Sequence, residues 1–178
     1  MSSKILLTMM VLLSTPVLAQ VERSGAASAT FSGKGPAGFK LEGKTEEVSL
    51  LDDGKKVVIS VQLATLKTGI DLRDRHMREK YLEVDKFPQA VLEVLWTAIQ
   101  LPADGQTSTQ TVPGKMSLHG KTRDVSVTYT LKRVGEAYEA IGKLPLNLKD
   151  FDIILPNYLG VTVKPDIETL TSFQFKKK

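Results

Sequence analysis

The side chains able to do chemistry are few and scattered. Only two histidines occur, His76 and His119, and there is no cysteine. A functional metal site needs its ligands to converge, and neither an HxH nor an HExxH spacing is present. No G-x-S-x-G elbow presents a serine nucleophile. Gly33-Lys34-Gly35-Pro36 lacks the later Gly-Lys-Ser/Thr of a phosphate loop and reads as a turn. Asp150 and Asp152 would share one side of a strand, whereas glycoside hydrolysis needs carboxyls on opposite sides of a sugar, so they too read as an edge turn. Asp74 with His76 is the one pair that invites an acid–base test, as the basis of a subsidiary hydrolase reading. No catalytic residue, metal or cofactor is assigned.

The elements that would carry these residues are mostly strands. Val57, Ile59, Val61 and Leu63 alternate with Val58, Ser60 and Gln62; Leu92, Val94, Trp96 and Ala98 repeat the pattern. Val125, Val127, Tyr129 and Leu131 against Ser126, Thr128 and Thr130 form the clearest case, and Ile167, Phe173 and Phe175 share parity with Thr169 and Thr171. Phe39 with Leu41 and Met116 with Leu118 give shorter versions. Asp52-Asp53-Gly54, Ala103-Asp104-Gly105, His119-Gly120-Lys121 and Val134-Gly135-Glu136 are turn signals, and short connections favour antiparallel neighbours. One strand is expected to end at Gly69. A charged helix of about three turns then begins at Asp71, whose carboxylate suits the first-turn amides and the helix dipole, and Pro88 stops it. The expected architecture is all-β: about eight antiparallel strands, closed or folded into a sandwich to hide their edges, with one short helix.

Composition narrows the function. The formal net charge is +4, or +3 once Lys4 is lost with a leader, and acids are interspersed with the bases. Lys176-Lys177-Lys178 reads as a solvated tail, and no basic stripe with interleaved aromatics marks a nucleic-acid surface. Residues 1–19 read as a secretory signal: Lys4, the apolar Ile5 to Leu13, and Val17-Leu18-Ala19 before cleavage. The apolar stretch is interrupted by Ser14, Thr15 and Pro16 and falls short of a bilayer span, so no stable membrane anchor is expected after cleavage. Residues 20–178 suit one domain with one core and no disulfide. Ser24 to Ser28 is taken as a small-residue lead-in.

Thr68-Gly69, Arg73-Asp74, His76-Met77 and Phe87-Pro88 together resemble the "TG...RD.HM......FP" signature of the YceI-like family of lipocalin-like, polyisoprenoid-binding proteins. The resemblance continues in Gly114-Lys115-Met116-Ser117-Leu118-His119-Gly120-Lys121-Thr122 and in Leu148-Lys149-Asp150-Phe151-Asp152-Ile153. It departs at Phe31-Ser32-Gly33-Lys34-Gly35-Pro36, where the family often carries Asp, His or Ser. Periodicity leaves barrel and sandwich open; the resemblance implies a single closed barrel, residues 20–178, enclosing a long-chain isoprenoid or related lipid in the periplasm or outside the cell.

An eight-stranded barrel is either filled by its own side chains or holds one small elongated ligand. The inward set is apolar, so a hydrocarbon chain is its natural occupant. Burial at about 0.8 kcal/mol per CH₂ gives a dozen carbons roughly 10 kcal/mol before ordering costs. Ala98, Ala140 and Gly142 argue for space inside. The expected ligand-binding residues are Val61, Leu63, Arg73, His76, Trp96, Met116, Leu118, Tyr129, Leu131 and Phe173. Arg73, Arg75 and Arg78 with His76 would meet a phosphate or quinone head group; the plainer reading has Arg73 and Asp74 pairing to fasten the helix. The partner expected is a long-chain isoprenoid or other lipid such as a fatty-acid derivative, with a homodimer left open and no nucleic acid. The alternative is a non-catalytic envelope interaction module whose barrel core is packed.

Overall fold

The computed structural model describes residues 21–35, 38–158 and 161–178. The expected leader, its cleavage point and Pro36 of the expected turn lie outside them. Nine strands form one antiparallel sheet: β1 Val21–Lys34, β2 Lys40–Thr45, β3 Val48–Asp52, β4 Lys56–Gln62, β5 Gln89–Leu95, β6 Thr107–Leu118, β7 Lys121–Val134, β8 Ala137–Asn147 and β11 Asp166–Lys177. Two short strands, β9 Asn157–Tyr158 and β10 Val161–Thr162, make a separate ribbon between β8 and β11. The all-β expectation holds, with nine strands in the barrel in place of about eight.

The sheet order is β2-β1-β11-β8-β7-β6-β5-β4-β3, so the two edge strands are sequence neighbours. The barrel is nearly closed. Its seam lies between β1 and β3 and is joined by individual contacts: the Arg23 guanidinium donates to the Val48 carbonyl, and the Val21 amide to Asp52 Oδ2 at 2.8 Å. Ala27 and Ala29 pack against Val48, with Ile59, Val61 and Phe173 behind them. Short side chains allow that close approach. The supposed lead-in from Ser24 to Ser28 therefore lies inside a strand of 14 residues, interrupted by a register shift between Arg23 and Ala27. Its small and polar residues concealed it because they serve a seam and leave little apolar contrast between the two faces.

Alternation works best where one face meets the lumen and the other meets water. In β7, Val127, Tyr129 and Leu131 are buried, while Thr128 and Thr130 pair hydroxyls with Thr111 and Thr109 of β6 on the outside. His119 and Gly120, both at positive φ (51° and 72°), form the β6–β7 turn, where strand twist favours a type I′ geometry.

Three local expectations are corrected. The strand expected to reach Gly69 ends at Gln62; Leu63–Thr65 is a 3₁₀ turn that keeps Leu63 buried. Trp96 and Ala98 leave the strand pattern in a second 3₁₀ turn, Trp96–Ala98, turning the indole across the barrel end. The helix has its cap at Ile70: α1 runs Asp71–His76 and continues as a π-helical turn Met77–Tyr81, which makes up the expected length by a different winding.

Candidate functional site

The inward faces do not meet in the middle. They enclose a cavity of about 990 Å³ running the length of the barrel. All ten side chains singled out in the sequence lie on its wall: Val61 from β4, Leu63 just beyond it, Arg73 and His76 from α1, Trp96 after β5, Met116 and Leu118 from β6, Tyr129 and Leu131 from β7, and Phe173 from β11. Ala140 and Gly142 of β8 are on the wall too, whereas Ala98 packs against the core without lining the cavity. Among the described residues, the inward side chains therefore leave the barrel core unfilled.

The cavity has a closed end and an open end. At the closed end, Asp52 accepts from the Trp96 indole N–H at 2.7 Å and from the Gly54 amide at 2.7 Å, besides the bond from Val21 across the seam. The Gln100 amide donates to the Tyr129 hydroxyl at 2.9 Å, and that hydroxyl donates to Gln110 Oε1 at 3.2 Å. Tyr138 stacks on Phe175 beside them, with ring centroids 5.0 Å apart. The polar tips of Trp96 and Tyr129 thus find partners while their rings close the floor.

The open end carries the helix. Asp74, 5 % exposed, accepts from the Thr68 amide at 2.7 Å and from the Thr68 hydroxyl. Arg73 donates to the same hydroxyl through Nε and to the Thr68 carbonyl through Nη2, each at 2.7 Å. The Thr68-Gly69 and Arg73-Asp74 pairs are thus two halves of one clasp, and Gly69 at φ 84° makes the bend between them. The expectation of a direct Arg73–Asp74 pair is corrected: both reach for Thr68. Burial on its own would raise the Asp74 carboxyl, but the Thr68 bonds, with Arg78 and Arg73 nearby, hold it below the usual carboxylate range.

A second clasp joins the helix exit to the β6–β7 turn. The His119 ring N–H at Nδ1 donates to the Phe151 carbonyl at 3.0 Å, and Nε2 lies 3.0 Å from Glu83 Oε2. Phe87 meets the ring edge-on with centroids 4.7 Å apart. Lys86 first, and then His119, keep the Glu83 carboxyl below its ordinary range. Phe151, the most deeply buried large side chain, anchors this end from within a 3₁₀ turn, Leu148–Phe151. Asp150 belongs to that turn and Asp152 follows it at φ 54°, so neither acid lies in a strand.

Among the described residues, the basic side chains on the cavity wall all come from the helix. Arg73, His76 and Lys80 line it, and among the described residues no carboxylate does. Arg75 and Arg78 face a separate outer cleft with Lys67, so they do not join Arg73 at the lumen as the head-group reading expected. Among the described residues no group of three His, Asp or Glu side chains converges as a metal site. No hydrogen bond joins Asp74 to His76 among the described residues, because Asp74 is turned to Thr68.

Sequence reasoning missed Phe31, Met77, Lys80 and Leu144 on the wall. Leu144 and Leu146 do alternate, but Pro145 between them argues against a strand; it fits because β7 pairs with β8 only as far as Lys143. Phe31 sits in the unrecognised β1. Lys80 carries no signal beyond its place on the helix.

Comparison with known proteins agrees with this architecture. The profile of the YceI-like domain matches residues 20–175. The UPF0312 protein plu2095 of Photorhabdus laumondii is 30 % identical over 106 residues, 54 % of this chain and 51 % of that protein, so the chain spans about half the length of this curated relative. A polyisoprenoid binding domain from Saccharophagus degradans superposes with a TM-score of 0.73 at 13 % identity, over 90 % of this chain and 100 % of that one. BcnA of Burkholderia cenocepacia gives 0.66 at 18 % identity, over 83 % and 95 % of the two chains. At such identities the two structures establish the shared fold.

Proposed function

The chain belongs to the YceI-like family, and from that premise we propose that it sequesters a long apolar molecule, an isoprenoid or a fatty-acid derivative, inside its barrel. The observation that carries this reading is the unfilled, apolar lumen. At about 30 Å³ per water-sized group, 990 Å³ accommodates on the order of thirty heavy atoms. Burial at roughly 0.8 kcal/mol per CH₂ then provides ample driving force after ordering costs. The ten wall residues named above are the proposed contacts, and the polar head of the ligand sits where Arg73, His76 and Lys80 supply donors and positive charge. Uptake and release need no covalent step. The leader read in residues 1–19 supports a carrier that works in the periplasm or outside the cell, which N-terminal sequencing of the fractionated protein checks.

The direct test is mass spectrometry of an organic extract of the purified protein, followed by loading with isoprenoids of graded length. A stoichiometric long-chain lipid, or saturable uptake with a length optimum, supports the proposal. Repeated absence of both overturns it. Gly142→Leu sharpens the test: a Cβ there meets nothing closer than the Thr171 carbonyl at 3.9 Å, so the larger side chain enters the lumen and should lower uptake by about tenfold or more without unfolding the wall.

A further inference from the structure

Three apolar residues on the cavity wall are more than half exposed: Phe39 (52 %), Ile70 (54 %) and Leu72 (54 %). All three belong to the open end, Phe39 in the β1–β2 connection and the other two at the start of the helix. Exposed apolar side chains also occur toward the closed end, at Leu51, Leu95 and Val134, but none of these lines the cavity. A cavity whose greasy wall continues outward onto its rim is an entrance that loses contact with water when it is covered.

Charge says what covers it. Beside Phe39 stand three exposed lysines: Lys34 of β1 is the register partner of Lys40 of β2, and the amide of Lys164, in the link between β10 and β11, donates to the Lys34 carbonyl at 2.9 Å. Among the described residues none of the three has an ion-pair partner within 4.0 Å. Beside Leu72 lies the outer cleft of Lys67, Arg75 and Arg78, to which Leu72 itself contributes. Asp74, the buried acid of that cleft, is already held by Thr68, and Asp71 is the remaining acid there. Apolar tips flanked on both sides of one opening by basic side chains match the layered chemistry of an anionic bilayer, acyl chains below and phosphates at the surface.

We propose that the open end is a membrane-docking face, on which Phe39, Ile70 and Leu72 enter the headgroup–acyl boundary of an anionic lipid surface while Lys34, Lys40 and Lys164 on one side and Lys67, Arg75 and Arg78 on the other meet its phosphates. This rests on the carrier reading for its purpose: docking mouth-first lets an apolar chain pass between bilayer and lumen without crossing water.

The test is co-sedimentation of the purified protein with phosphatidylcholine vesicles, with and without phosphatidylglycerol. Binding to the mixed vesicles that weakens with salt is expected, with roughly fivefold loss for each basic rim charge removed and more for each reversed. The triple variant Lys34→Glu, Lys40→Glu, Lys164→Glu and the apolar variant Phe39→Ser, Leu72→Ser should both lose binding. The closed-end variant Leu51→Ser, Leu95→Ser and the barrel-side variant Lys143→Glu should keep it. Failure to bind anionic vesicles, equal binding to neutral ones, or equal loss in the closed-end and barrel-side variants overturns the proposal. Thermal melting of each variant shows that its barrel is intact. Loading the same proteins with isoprenoid from ethanol separates the two readings: uptake without vesicle binding removes docking and leaves the carrier, while vesicle binding without uptake removes the carrier and leaves the docking face.

Discussion

The two ends of the barrel are built on different principles. At the closed end, each polar tip of a large ring is answered by a partner: Trp96 by Asp52, Tyr129 by Gln100 and Gln110. At the open end the polar groups are gathered into two clasps, around Thr68 and around His119, and apolar side chains are left facing outward. One end uses hydrogen bonds to shut a tube. The other uses them to frame a gap. Stability and access are thereby assigned to different residues, which makes the difference testable.

The largest effect is expected from Phe151→Ala. Its side chain is 1 % exposed and supports the open end from beneath, so truncation should cost about 3–5 kcal/mol by denaturant titration. A cost under about 1 kcal/mol would mean that the frame does not hang on this anchor. Next comes Asp52→Ala at the floor, which strands three donors and should cost about 2–3 kcal/mol. The head-group preference of that variant should stay unchanged if floor and mouth are independent; a shift in it would erase the distinction.

Asp74→Ala should cost about 2 kcal/mol near neutral pH, since it removes a charged acceptor from a buried clasp. The sign of its pH dependence follows from the depressed carboxyl. The native state holds Asp74 ionised more strongly than the unfolded chain does, so this stability is present above the unfolded carboxylate pKa and fades as pH falls through the lower native one. Melting curves of wild type and variant should converge on acidification; a constant gap would show that ionisation plays no part. The smallest effect is Gly120→Ala, about 1 kcal/mol or somewhat more. A Cβ there would meet the Phe87 ring at 2.7 Å and sit at a positive φ, so the melting temperature should drop with ligand preference untouched.

The parts of this design that follow a period were readable beforehand. β7 and β11 announce themselves because one face meets lumen and the other meets solvent, and most of the ten wall residues follow from strand parity together with the helix motif, while Leu63 and Trp96 reach the wall from 3₁₀ turns. What escaped has physical reasons. β1 serves the seam with alanines and serines, Trp96 leaves its strand to reach Asp52, and Pro145 masks Leu144 and Leu146. The sorting of Arg75 and Arg78 away from Arg73 follows the helical spacing, since residues three apart share a face whereas residues two apart do not, and grouping all three at one head group overlooked it.

The junction of β1 with β3 has a mechanical corollary. Elsewhere in the wall, separating neighbouring strands means breaking a continuous ladder of amide bonds, whereas here it means releasing a guanidinium, a carboxylate and a few methyl groups. Thermal breathing should therefore begin along this one line, with the outward-edge amides of β3 exchanging with deuterium before those of β7 and β8. A tube that is welded around most of its circumference and merely buttoned along one side can widen for a bulky guest without losing its shape.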